Sequence, residues 1–415
     1  MKRINIKDSI NLYHLKSEKF KNFSVSFYFQ RPLLKEEHSL NALIPFILKQ
    51  GSRNYPDNKK ISACLEELYG GSFDCVVRKK GDSHIIGFVF DFLSPRYVKD
   101  PSYKTKVFDF MYDVIFNPLV KDNGFSEEFT EREKKNQIEY VKGIVNDKRE
   151  YASLRCTQEM FKGESYSLFS GGSVEGIEEA DAKKLYAHYL KIIKSSPLDV
   201  FVSGDIDIDE TKALLEKLER ENPEKRYPVC SYKKHEGDVK EITDKMNVTQ
   251  GKLTMGFVTN VDMGTRESVA LTVFNSIFGS GAHSKLFNNV REKLSLCYYA
   301  ASRVNKLKGT MSVSSGVEFK NFDKAYDEIL KQLENIKNGE IEDWEINAAK
   351  SALVNILNSY DDSLSAKEEF YFNQALTGEG NTVEQFISDI KEITKEEVSA
   401  VASKIELDTV YRLEA

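Results

Sequence analysis

A repeated order of elements constrains this chain more than any single motif. In the first half, SVSFYF (Ser24 to Phe29) reads as an alternating strand. The helix-like LNALIPFILKQGS follows, then ISACLEELYGGSFDCVV, a KKGD turn and the strand HIIGFVFDF. In the second half the strand KLTMGFV precedes the helix-like SVALTVFNSIFGSG, then SKLFNNVREKLSLCYYAS, an LKGT turn and the strand MSVSSGV. Both read strand, helix, helix, strand, turn, strand, with Lys-Gly at each hairpin turn. A long helical pattern follows in each half. Ile138, Val141 and Val145 recur at helical spacing in EREKKNQIEYVKGIVNDKREYASLRCTQEMF, as do Ala352, Leu353, Ile356 and Leu357 in the second pattern. Asp147 and Asp361 occupy matching places in these blocks. The match predicts a duplication: two similar α+β domains, each an antiparallel sheet covered by helices. The stretch Glu221 to Asp244, rich in charge and holding two prolines, reads as a surface connector. The expected division is an N-terminal domain over 1–222, a linker over 223–236 and a C-terminal domain over 237–415.

Composition narrows the function classes. Of 415 residues, 40% are hydrophobic, enough for a sizeable core, and the formal net charge of -6 provides no field to recruit nucleic acid or an anionic membrane. The five cysteines are odd in number and form no CxxC pair, which suits a reducing compartment. The N-terminal residues are basic without an apolar h-region, and no apolar run approaches the ~18 residues of a membrane span. The expectation is a soluble, cytoplasmic protein with neither nucleic acid nor membrane as partner.

Local chemistry is sparse. None of the six histidines pairs with another within one or two helical turns, as a helical zinc motif requires. GSGAHSK (Gly279 to Lys285) lacks P-loop spacing, and no GxSxG elbow is present. The basic run Arg132 to Lys135 alternates with glutamates and reads as a solvated helix face. One constellation is more specific. Arg291 falls toward the end of a helical run and Tyr298 at the start of the next strand. A guanidinium donates planar, paired hydrogen bonds and a phenol can donate to a peptide carbonyl, so together they could hold a peptide backbone. Taken alone, a surface arginine and an edge-strand tyrosine explain them better.

The stretch HSKLFNNVREKLSLCYYA is similar to the S-x-L-F-x-x-V-R-E-K-x-x-L-x-Y signature of the pitrilysin/insulinase-type metallopeptidases, the inverzincins, which include the mitochondrial processing peptidase subunits. The resemblance spans nearly the whole chain. It implies two homologous domains of the LuxS/mitochondrial-processing-peptidase-like metallohydrolase fold, forming half of a clamshell around a peptide chamber. It also implies that Arg291 and Tyr298 bind substrate. The zinc site does not carry over. The family's inverted HxxEH falls on Ala42-Leu43-Ile44-Pro45-Phe46, with Ala42 and Phe46 at the histidines and Pro45 at the catalytic glutamate. The third ligand position falls at Tyr140, or one residue away at Glu139. Pro45 should bend the helix, and Phe46, Ile47 and Leu48 should pack as core.

The resemblance therefore points to a zinc-less, non-catalytic branch, one member of which is associated with modification of elongation factor P. It implies no catalytic or metal-binding residue here, and zinc only in an HxxEH-bearing partner subunit. The implied role is to complete that partner's chamber for a peptide or unfolded polypeptide. A scaffold protein of the same fold, with no peptidase role, is the alternative. A homodimer in isolation stays open.

Overall fold

The computed structural model describes residues 1–230 and 237–415. The chain forms two compact units, and neither is one continuous stretch. Unit one takes Met1–Lys142, Leu168–Pro228 and Leu364–Tyr371, while unit two takes Gly143–Ser167, Val229–Ser363 and Phe372–Ala415. The expected linker over 223–236 contains residues 231–236, which lie outside the described residues.

The strands are β1 (Lys2–Lys7), β2 (Ile10–Lys16), β3 (Asn22–Pro32), β4 (Ser72–Lys80), β5 (Ser83–Leu93), β6 (Val120–Lys121), β7 (Gly124–Phe125), β8 (Leu198–Gly204), β9 (Lys240–Lys245), β10 (Gly251–Val258), β11 (Cys297–Asn305), β12 (Thr310–Val317) and β13 (Glu406–Glu414). The helices are α1 (His38–Leu48), α2 (Asn58–Glu67), α3 (Tyr103–Phe116), α4 (Glu127–Gly143), α5 (Lys148–Met160), α6 (Val174–Glu178), α7 (Ala182–Ser195), α8 (Asp209–Lys217), α9 (Arg266–Phe278), α10 (Phe322–Lys337), α11 (Asp343–Asn358), α12 (Leu364–Thr377), α13 (Val383–Glu392) and α14 (Lys395–Ala402).

The sheet of unit one runs β1-β2-β8-β3-β5-β4, and that of unit two runs β11-β12-β10-β13-β9. Read from the other end, the second order matches β2-β8-β3-β5-β4 strand for strand. The single parallel pairing in each sheet falls in the same place, β2 with β8 and β9 with β13. The sheets are therefore mixed rather than wholly antiparallel, and the topology repeats as the sequence pattern did. β9 begins within the stretch Glu221 to Asp244 that reads as connector, so the end of that stretch is sheet.

Each long helical block is two helices. Asp147 ends the first: its carboxylate accepts the backbone N–H groups of Arg149 and Glu150 at 2.9 and 3.0 Å, capping α5. A short 3₁₀ turn, Ile144–Asn146, precedes it. The second block breaks at the matching place, with a 3₁₀ turn over Ser359–Asp362 between α11 and α12. The breaks let each half supply a helical segment to the other unit: α5 belongs to unit two, and the first two turns of α12 belong to unit one.

Those segments explain the burial of both sheets. In β3, Phe23, Val25, Phe27 and Phe29 point into an aromatic core with Phe88, Phe90 and Phe92 of β5. Phe73 stacks on Phe90 at 4.8 Å. Burying each such ring stabilises the unit by on the order of 1.5–3 kcal/mol. Ser24, Ser26, Tyr28 and Gln30 of β3 alternate with these residues and are also buried, on a face that meets Glu368 of α12. In unit two, α5 packs on β10 and β13, and a Cβ at Gly256 would come within 2.9 Å of Met160 Sδ. The apolar spacing on α11 does not predict inward packing throughout: Leu357 is buried, but Ile356 is 54% exposed. No helix among the described residues is long and apolar enough to cross a membrane.

Candidate functional site

The helix at the family's zinc position is α1. It runs from His38 to Leu48 through Pro45, whose carbonyl accepts Lys49 N–H at 3.0 Å and the Cys75 thiol at 3.2 Å. Ala42, Ile47 and Leu48 are buried, and Phe46 packs half-buried against the core. On α4, Glu139 is exposed and Tyr140 sits with its ring 6.0 Å from that of Phe169. Methyl, pyrrolidine, phenyl and phenol groups do not make a zinc donor set. His38, one turn before Ala42, directs Nδ1 at the Lys35 carbonyl at 2.9 Å. Among the described residues no group of three or more His, Cys, Asp or Glu side chains is placed to hold a metal. The chain does not fit the family's zinc.

What surrounds α1 instead is a buried polar network that sequence reasoning missed. Asn41 Nδ2 donates to His84 Nδ1 at 3.2 Å, and Asn41 Oδ1 accepts from His188 Nε2 at 2.8 Å. His84 Nε2 donates to the Ser170 carbonyl at 2.9 Å. This arrangement puts a proton on Nε2 of both rings and needs His84 neutral, since its Nδ1 accepts. Burial pushes His84 down to about 3 and His188 down to about 4. Beside them the buried Arg31 grips Glu37 through Nε and Nη2, and Lys191 reaches the same carboxylate at 2.6 Å. Burial raises the Glu37 pKa, but the hydrogen bonds from Lys191 and Arg31 outweigh it and hold the carboxyl below its usual range. No spacing signal links Asn41, His84 and His188, since each lies on a different element.

Arg291 and Tyr298 are carried by irregular backbone. Arg291 lies on a π-helix, Leu286–Lys293, which closes with Leu294 N–H bonded to the Asn289 carbonyl at 3.1 Å, a five-residue step. Ser295 then turns the chain with φ +50°. π-Helical turns and left-handed non-glycine residues concentrate at functional sites because each carries a cost in stability. In β11, Cys297 pairs with Val317 and Tyr299 with Gly316, so Tyr298 is an unpaired extra residue, a β-bulge. The bulge turns Tyr298 outward, 63% exposed, on the edge strand of the sheet.

Neighbouring groups fix both residues. The Arg291 guanidinium stacks 4.7 Å from the Phe287 ring, reaches Glu292 at 3.3 Å and remains 42% exposed. The π-helix packs against β11, and burial pushes up the Cys297 thiol pKa while the nearby Arg291 charge opposes that shift. The structure thus brings the two predicted residues onto adjoining elements. The Tyr299 ring packs over Gly316, where a Cβ would come within 2.6 Å of its Cε1. Asn289 donates to Gln332 of α10 at 2.7 Å, and Lys285 pairs with Glu345 of α11 at 2.8 Å. These contacts tie the start and the middle of the π-helix to regular helices.

Residues 179–353 match the family model described as the peptidase M16 inactive domain. The chain is 34% identical to the probable inactive metalloprotease YmfF of Bacillus subtilis (strain 168), covering 96% of this chain and 94% of that protein. It belongs to the M16 peptidase family. This M16 chain also superposes on a conserved protein from Enterococcus faecalis V583 with a TM-score of 0.92 and 32% identity, covering 100% of this chain and 98% of the other. A protease from Helicobacter pylori shares the fold at 14% identity, with a TM-score of 0.82 and coverage of 100% and 99%. At α1 this M16 chain carries Ala42, Pro45 and Phe46 and so lacks the family's catalytic side chains there.

Proposed function

We propose that this M16 chain is a non-catalytic, peptide-binding subunit of a heteromeric zinc metallopeptidase, completing the substrate chamber for a partner that carries HxxEH. The observation behind this reading is the outward presentation of Arg291 and Tyr298 from a π-helix and a β-bulge. A chain that had lost every peptidase connection would gain nothing from keeping such costly backbone around two exposed side chains. β11 is also an edge strand, whose outer N–H and C=O groups can extend the sheet with a peptide. Arg291 would then hold a carbonyl or carboxylate and Tyr298 a peptide carbonyl. The hydrolytic water and its metal belong to the partner.

The test is to co-express the chain with an HxxEH-bearing M16 chain from the same genome. Complex formation and cleavage of an unfolded polypeptide are then measured for each subunit and for the pair. Cleavage should need the HxxEH chain and should fall about tenfold or more on Arg291→Ala or Tyr298→Phe, the loss of one charge-assisted or well-placed hydrogen bond. Unchanged turnover in both variants would refute the substrate role. A stable complex with no peptide binding would point to a scaffold, for example one supporting elongation factor P modification.

A further inference from the structure

We propose that Arg149 and Lys252 form a carboxylate-binding subsite beside Tyr298, so that the chain it binds is an acidic, extended peptide. The inference rests on the peptide-binding reading and adds the chemistry of what is bound. Arg149 lies in the first turn of α5 and Lys252 near the start of β10. Both approach one ring, that of Tyr299: the Arg149 guanidinium at 4.4 Å from its centre and the Lys252 ammonium at 5.9 Å. Tyr299 directly follows the bulged Tyr298 and is seated on Gly316, so the cation pair and the peptide-holding tyrosine are neighbours on β11.

The two charges are poorly compensated. Among the described residues, neither has a carboxylate within ion-pair distance, and Lys252 donates only to the neutral Gln250 amide. The acidic group nearby is Asp147, which caps α5 through the N–H groups of Arg149 and Glu150 and acts on both cations through its charge without a direct ion pair to either. Burial lowers the pKa of the Lys252 ammonium; Asp147 opposes the shift and the Arg149 charge adds to it. Arg149 also sits at a helix N-terminus, where the macrodipole disfavours a cation and favours an anion. The ring holds the cations in place through its quadrupole without neutralising them. A carboxylate between them would accept charge-assisted hydrogen bonds from both and remove their mutual repulsion. It can come from an aspartate or glutamate side chain or from a peptide C-terminus.

Fluorescence anisotropy with the full chain tests this. The probes are short fluorescein-labelled peptides of glycine, serine, valine and glutamate, with matched peptides carrying glutamine or lysine at the glutamate positions, each with a free or amidated C-terminus. The glutamate peptides should bind about tenfold tighter than the glutamine ones, and the lysine ones weakest. If the amidated glutamate peptide keeps its advantage, the side chain is the source; if only free C-termini bind tightly, the terminal carboxylate is. R149Q and K252Q should erase the preference while leaving residual binding, and Arg149→Lys should restore most of it. Equal binding of glutamate and glutamine peptides overturns this subsite and leaves the peptide-binding reading standing. Failure of every peptide to bind the wild-type chain overturns both.

Discussion

The Tyr28 hydroxyl donates a 2.8 Å hydrogen bond to the Glu368 carboxylate, joining β3 to a helix 340 positions later within one compact unit. Ser203 donates to the same carboxylate at 3.1 Å. Burial raises the Glu368 pKa above its ordinary value of 4.5, against the hydrogen bonds that favour the anion. The protonated form is therefore the one the fold prefers. Its stability contribution is complete below pH 4.5 and is lost as the pH rises through the raised value. Glu368→Gln is expected to flatten that limb of the urea midpoint against pH. Tyr28→Phe should lower stability by about 1–3 kcal/mol by removing a donor from a buried carboxyl. An unchanged pH profile in Glu368→Gln would show that another group sets it.

His84 and His188 act in the opposite direction. Their folded-state values of about 3 and about 4 lie below the ordinary 6.5, so an unfolded chain takes up protons that the folded one refuses. Stability should be full above pH 6.5 and decline as the pH falls toward 4 and then 3. Asn41→Ala leaves both ring nitrogens without their partner and should cost roughly 1–3 kcal/mol per orphaned group. Hydrogen exchange in α1 and β5 would show the loss locally. Retained protection there would mean that water replaces the amide.

Lys285 and Glu345 are only 8% and 7% exposed and lie 2.8 Å apart. Removing one partner strands a buried charge, so Lys285→Met and Glu345→Leu should each cost about 3–5 kcal/mol, and the double variant clearly less than their sum. A double-mutant cycle by chemical denaturation measures the difference. Additive losses would mean that the two charges are solvated independently.

Zinc should not stabilise this chain. A ligand bound to the folded state raises the thermal midpoint in proportion to the logarithm of its concentration above Kd. Ala42, Pro45 and Phe46 offer no donor, so Zn²⁺ titrated over the micromolar range is expected to leave the midpoint where it was. A saturable rise, abolished by chelator, would contradict the donor chemistry described for α1.

Much of the architecture was legible in the sequence. Hydrophobic periodicity marked β3, β5, β10 and β12, the Lys-Gly turns marked both hairpins, and their repeated order announced the duplication that the sheets share. These signals survive in a linear reading because a hairpin or an amphipathic helix is specified by residues close in sequence. The same holds for the missing zinc motif, which is a matter of residue identity at Ala42, Pro45 and Phe46. Arg291 and Tyr298 were visible as residue types, but the π-helix and the bulge that present them were not. Gln332 and Glu345 contact the π-helix segment and Gly316 lies under Tyr299 beside the bulge, all from other elements.

Local sequence thus determined which segments are strands and helices, that they come twice, and that Ala42, Pro45 and Phe46 stand at the family's zinc-motif positions. Only the tertiary structure decided that Asp147 and the Ser359–Asp362 turn break the long helices, and that α5 and the start of α12 cover sheets built from the other half. It also decided that Asn41, His84 and His188 meet, and that Arg149 and Lys252 approach one ring. The physical reason is range. Propensity and periodicity act over a few residues, whereas burial of a polar group is settled by whichever distant segment arrives to satisfy it.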